Sequence, residues 1–141
     1  MGSCVQNKDF VIQEIQFNYL SKCADCDLLD VVEVIDGDTI ITPIGKVRFY
    51  GVNTPEKGEK CFDLAKSETT RLANHRIKVE YGPRKTDRYG RLLAYVYTEN
   101  GDSIDEFLIS NGLGKAWTKD GQHKEYLMNL EKNSKNKKCL W

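Results

Sequence analysis

Apolar and polar positions alternate in short runs along most of the chain and give way to a helical period in three places. Val31 to Ile35 is β-branched and apolar, halts at Asp36-Gly37 and resumes at Thr39 to Thr42. That pattern predicts a strand, a tight turn and a second strand. Pro43 to Gly45 supplies the next turn, and Lys46 to Val52 reads as a third strand. Asn53-Thr54-Pro55 ends it, because proline lacks a ladder donor and restricts the residue before it. From Gly58 to Asn74 the period lengthens, with Cys61, Ala65 and Leu72 near one face of a first helix. Ile77, Val79 and Tyr81 alternate as a fourth strand broken at Gly82-Pro83, and Leu92 to Tyr97 predicts a fifth. Ser103 with Glu106 three residues on forms a capping box. The helix it opens carries the stripe Ile104, Phe107 and Leu108, with Gly112 as its stop. A last amphipathic helix is expected from His123 to Lys137, burying Tyr126, Leu127 and Leu130. Three strands, a helix, two strands and two helices predict an α+β fold, a small closed sheet of the OB type with helices packed on it.

Residues 1–30 stand apart as a leader, with the domain proper over 31–141. Val11, Ile15, Phe17 and Tyr19 suit one face of a strand or of a short helix equally. The opening residues show no charged-then-apolar signal segment. Gly2 after Met1 hints at myristoylation, but Gln6 stands where that motif needs Ser or Thr.

Composition narrows the class. With 141 residues and 40% hydrophobic content, the chain can bury one core. It carries no apolar run long enough to span a bilayer. A net charge of zero argues against a protein that coats nucleic acid by bulk electrostatics alone. The charge is uneven, however. Asp9, Glu14, Asp25, Asp27 and Asp30 outnumber Lys8 and Lys22 in the leader, while Arg84, Lys85, Arg88 and Arg91 surround the single acid Asp87. Lys132, Lys135, Lys137 and Lys138 follow Glu131 without an acid among them. Of the five cysteines, Cys4, Cys23, Cys26, Cys61 and Cys139, an odd number cannot all pair within the chain. Cys23 and Cys26 form one C-x-x-C without a second copy, so zinc would need distant ligands such as His75 or His123. A local disulfide or two ordinary thiols fit better.

Three segments carry candidate chemistry. Asp36-Gly37-Asp38-Thr39 is, taken alone, a hairpin turn. Arg48 to Glu56 puts a guanidinium inside a strand and a carboxylate just past its end. Thr86 to Tyr95 is a basic loop with an aromatic, leading into the fifth strand. Together they supply what phosphodiester hydrolysis needs. Asp38, Asn53, Thr54 and Glu56 offer the carboxylate and carbonyl oxygens that calcium prefers. Two planar arginines can meet the charge that builds on the phosphorus in the transition state. A carboxylate must also orient or deprotonate the attacking water.

These blocks, namely Asp36-Gly37-Asp38-Thr39, Arg48 through Asn53-Thr54-Pro55-Glu56, and Asp87-Arg88-Tyr89-Gly90-Arg91 with Ala94-Tyr95, resemble the signature of the staphylococcal nuclease (thermonuclease) family. The likeness runs in register from about Val31 to the closing Leu140-Trp141. It implies an OB-like five-stranded β-barrel with three packed helices, a calcium ion, and hydrolysis of DNA or RNA that leaves a 3′-phosphate. By the same resemblance Asp38 is a metal carboxylate and Thr54 lends the ion a backbone carbonyl. Glu56 is the acid that activates water, and Arg48 and Arg91 are the phosphate-binding arginines. Arg88 and Tyr89 lie beside the terminal phosphate of a bound nucleotide. A monomer, secreted or at the cell envelope, is the expectation that goes with it.

Two departures stand out. Asn53 replaces a second metal carboxylate, so one formal charge is lost and calcium affinity should fall. Lys115-Ala116-Trp117-Thr118-Lys119 lacks the family's paired tyrosines, which leaves Trp117 either a stacking surface or a core residue. The competing reading is a non-catalytic nucleic-acid-binding module on the same fold. A binder has no use for an acid aimed at the phosphate, so Glu56 beside Asp38, Arg48 and Arg91 speaks for an enzyme. A generic OB interaction domain would require the three blocks to coincide by chance. His75 and His123 read as ordinary helix-edge residues.

Overall fold

The β-branched runs pair as their turns dictate. In the computed structural model, which describes residues 22–134 and residue 139, β2 (Glu33–Asp36), β3 (Thr39–Thr42) and β4 (Gly45–Phe49) form an antiparallel meander. β6 (Arg76–Thr86) and β7 (Leu92–Thr98) make a long hairpin, and β7 joins the meander through a parallel ladder to β4. This is the OB-like order expected for five strands. One more strand, β1 (Asp27–Asp30), comes from the segment assigned to the leader and pairs antiparallel with β6. The sheet therefore runs β1-β6-β7-β4-β3-β2, and among the described residues no ladder joins β1 to β2 to close it. A small second sheet pairs β5 (Val52–Asn53) with β8 (Lys115–Ala116).

Among the described residues three helices cover the sheet: α1 (Phe62–Ala73), α2 (Ile104–Ser110) and α3 (Lys124–Asn133). α2 opens as expected, with the Ser103 hydroxyl accepting from the Glu106 amide at 3.0 Å. The box is only half closed, because the Glu106 carboxylate takes the Tyr126 hydroxyl of α3 at 2.7 Å instead. Gly112 follows at φ +70°, the left-handed turn that the sequence reserved for it. α1 begins later than expected: Gly58 and Cys61 hold positive φ, so residues 58–61 form turns and not helix. Cys61 is disulfide-bonded to Cys139, tying the start of α1 to the far end of the chain. Cys23 and Cys26 form the local disulfide. The face suggested by Val11, Ile15, Phe17 and Tyr19, and the helix extension over 135–137, lie outside the described residues. The core is filled by Ile40, Val47, Phe49, Val79, Tyr95, Ile104, Leu108 and Leu127, all buried.

Two strands depart from their expected limits, for identifiable reasons. The third was expected to run unbroken to Val52, but the chain bends at Tyr50-Gly51. A Cβ on Gly51 would lie 2.5 Å from Leu127 Cδ1 and 2.9 Å from Asp105 Oδ2, so only glycine fits there. The bend lets the Gly51 amide donate to Asp105 Oδ2 at 2.9 Å, and the Val96 amide donates to Oδ1 at 2.8 Å. The fourth strand does not stop at Gly82-Pro83. It continues to Thr86 through a register shift opposite Ala94 to Leu92, and Gly82 lies against the Tyr50 ring. A bulge accommodates a proline that a regular ladder would reject.

Asp105 is thus a fully buried carboxylate that serves two backbone amides. Burial pushes it up to about 7, against the pull of those amides. Asp105→Ala would orphan both donors at about 1–3 kcal/mol each, and chemical denaturation should report the loss; an unchanged midpoint would contradict the role. Since the folded value lies above the unfolded one, its contribution is complete below about pH 4 and is lost as pH rises through about 7. Asp105→Asn should flatten that part of the stability profile.

Candidate nucleic-acid site

Register brings the site together. β3 and β4 pair Thr39 with Arg48, which places the preceding Asp38 beside the Arg48 guanidinium. The parallel ladder pairs Arg48 with Leu93, two positions after Arg91, so both arginines reach one end of the sheet. The result is an open pocket of ≈ 550 Å³ whose lining includes Arg48, Arg88, Tyr89, Arg91, Trp117 and Lys119. Five cations and two carboxylates line it, in a chain whose net charge is zero.

Arg48 is held on nearly every side. Its Nη1 donates to the carbonyls of Val52, at 2.8 Å, and of Phe49. Nη2 donates to Asn53 Oδ1 and lies 3.3 Å from Asp38 Oδ2. Asn53 therefore faces the arginine, where the sequence placed it among the metal ligands. Asp38 is buried, and its Oδ2 also accepts from the Thr54 amide at 2.9 Å. Asp36, which sequence reasoning treated only as a turn residue, lies against it and accepts from the Asp38 amide at 3.1 Å. Burial first, then the hydrogen bond and charge of Asp38, push the Asp36 carboxyl up to about 6.

Arg91 is aimed by a turn. The Asp87 carboxylate accepts the amides of Tyr89 and Arg91 on Oδ1, at 2.9 Å and 3.0 Å, and Arg91 Nε on Oδ2 at 2.7 Å. Burial raises the Asp87 carboxyl, but these bonds outweigh it and hold it below its ordinary value. Gly90, at φ +81°, closes the turn. Arg88 and Arg91 lie over the Tyr89 ring, 5.0 Å and 5.7 Å from its centroid, and Tyr89 itself is 69% exposed. Trp117 is half-buried and lines the same pocket, its Nε1 bonded to Asp120 at 2.9 Å. Glu56 is exposed and is not among the lining residues; its amide is capped by Glu59 Oε1 at 2.6 Å. His123 lies elsewhere, bonded to Glu80 at 2.8 Å.

A hard divalent cation suits the donors around Asp38. They are oxygens only: two adjacent carboxylates, the Thr54 main chain, and a Thr54 hydroxyl that is buried without a hydrogen-bond partner among the described residues. Burial and then the neighbouring Asp38 raise the Asp36 carboxyl, and a bound cation would favour its charged form. Among the described residues no three His, Cys, Asp or Glu side chains gather to hold a metal. Carbonyls and water would therefore complete any calcium shell.

The chain matches the staphylococcal nuclease homologue family over residues 46–141. It is 34% identical over 128 residues to a thermonuclease of Staphylococcus hyicus, covering 79% of this chain and 73% of that protein. It is 30% identical over 135 residues to an uncharacterized endonuclease of Escherichia coli O157:H7, covering 89% and 83%. It is also 29% identical over 136 residues to endonuclease YhcR of Bacillus subtilis, covering 79% of this chain but 11% of that much longer protein. The family match and these relatives agree, and the chain belongs to the staphylococcal nuclease family.

Proposed function

We propose that this chain is a calcium-dependent nuclease that hydrolyses phosphodiester bonds of DNA or RNA and leaves 3′-phosphate ends. The observation that carries the reading is the convergence of Arg48 and Arg91 on one cationic pocket beside the Asp38 cluster. Each guanidinium is oriented in advance, Arg48 by carbonyls and Asp38, Arg91 by Asp87. Donors fixed before reaction stabilise the charge that develops on the phosphoryl oxygens without reorganising. The kinship with a thermonuclease and two endonucleases supports the same class of reaction.

Asp38 and the Thr54 carbonyl would hold calcium, with Asn53 and Asp36 within the same cluster. When bound, calcium supplies Lewis-acid polarisation of a phosphoryl oxygen. Glu56 orients or deprotonates the attacking water. Arg48 and Arg91 grip the scissile phosphate, while Arg88 and Tyr89 hold the adjoining nucleotide by charge and stacking.

A binding module without catalysis draws on one observation, the position of Glu56 outside the pocket lining. Glu56→Gln separates the two readings. It is expected to lower the initial cleavage rate of single-stranded DNA by roughly a hundredfold or more while an oligonucleotide binding titration stays close to wild type. Wild-type protein that binds yet never cuts in calcium would make the domain a reader. A mutant that cuts as fast as wild type would move the base elsewhere.

Calcium dependence has its own check. Cleavage should vanish in chelator and return with calcium, because the donors near Asp38 are oxygens. Full activity in chelator, or activity restored by zinc alone, would overturn the assignment.

A further inference from the structure

We propose that Arg84 and Lys119 form a second phosphate-binding subsite in the pocket, one that takes a neighbouring phosphodiester of a polynucleotide chain. The inference rests on the nuclease reading and deepens it. Arg84 belongs to β6, ahead of the Asp87 turn, and lies outside the three blocks that carry the family resemblance. Asp120 grips the side edge of its guanidinium, with Nε to Oδ2 at 2.6 Å and Nη2 to Oδ1 at 3.1 Å. Asp120 is itself fixed by the Trp117 indole, 2.9 Å from Nε1 to Oδ1. The guanidinium also rests on the Tyr50 ring, 5.4 Å from its centroid.

This repeats the treatment of Arg91, whose Nε is held by Asp87 at 2.7 Å. A guanidinium carries five N–H donors. The side-edge grip uses two of them, one on Nε and one on Nη2, and none on Nη1. Its end edge can therefore accept a phosphate without the ion pair being broken. The pair also holds the arginine in that state: the hydrogen bonds from Arg84 keep the Asp120 carboxyl well below its usual range. Isolated surface ion pairs seldom have such support.

Lys119, exposed, lies over the Trp117 ring at 5.5 Å, on the same wall. One scissile phosphate engages Arg48 and Arg91, so the cationic excess of the pocket is larger than that phosphate requires. A volume of ≈ 550 Å³ suits a ligand longer than one phosphate group. Regularly spaced phosphates of a single strand meet both demands.

The test measures kcat/KM in calcium for thymidylate dinucleotide and hexanucleotide, at several salt concentrations. Wild type should favour the hexanucleotide. In Arg84→Gln that preference should shrink by about tenfold, through KM and not kcat. The slope of log(kcat/KM) against log salt for the hexanucleotide should fall by about 0.7, the value of one single-strand phosphate contact. Lys119→Gln should act in the same direction. Arg76→Gln removes a charge from the other end of the same strand, where Arg76 pairs with Glu99, and should leave the length preference intact. If Arg84→Gln keeps the wild-type preference and slope, or if Arg76→Gln loses as much, no subsite exists at Arg84. If no oligonucleotide is cut at all, the nuclease reading fails and this inference with it.

Discussion

A single buried carboxylate fixes the frame on which the site is built. Asp105, in α2, accepts one amide from the bend after β4 and another from the middle of β7. Those two segments flank two residues of the pocket, Arg48 just before the bend and Arg91 just before the strand. Without that acceptor both amides would be buried donors with no partner, a cost comparable to a large share of a small domain's stability. The acceptor also explains why position 51 is glycine, because any Cβ there would collide with Asp105 and Leu127. A burial that serves the fold therefore also ties together the segments that carry Arg48 and Arg91.

On that frame, carboxylates and carbonyls aim the arginines. Asp87 takes Arg91 by Nε, Asp120 takes Arg84 by its side edge, and Arg48 spans two carbonyls, Asn53 and Asp38. Long cationic side chains lose substantial rotamer entropy when they bind a ligand. Here that ordering is built into the folded state, so a bound phosphate meets donors already in place. The arrangement accounts for a chain of zero net charge that concentrates five cations around one opening.

The sequence revealed elements governed by local rules and hid those governed by distant partners. The Asp36-Gly37 turn and the Ser103 cap depend on neighbours within a few residues, and both were legible. The Tyr50-Gly51 bend depends on Asp105, more than fifty positions away, and the Gly82-Pro83 bulge on the Tyr50 ring. The Cys61–Cys139 disulfide spans 78 residues, and no local spacing announces it. At the site, Asp38, Arg48, Arg88, Tyr89 and Arg91 were legible as blocks, because each block is one strand end or one turn. The engagement of Asn53 by Arg48 was not, since it needs the side-chain geometry of the bend. Arg84 was read as part of a charge cluster, and its partner Asp120 lies 36 positions further on.

The central claim is that this cationic pocket, and not another face of the sheet, receives the nucleic acid. Amide chemical-shift mapping of the isotope-labelled chain tests it most directly, with a single-stranded thymidylate oligonucleotide added in chelator. Saturable shifts should cluster at Asp38, Arg48, Thr54 and Arg88 to Arg91, and leave β1 and the opposite end of β6 silent. Shifts confined to Asp27–Asp30 and Arg76, or no saturable shifts in the pocket, would contradict the account.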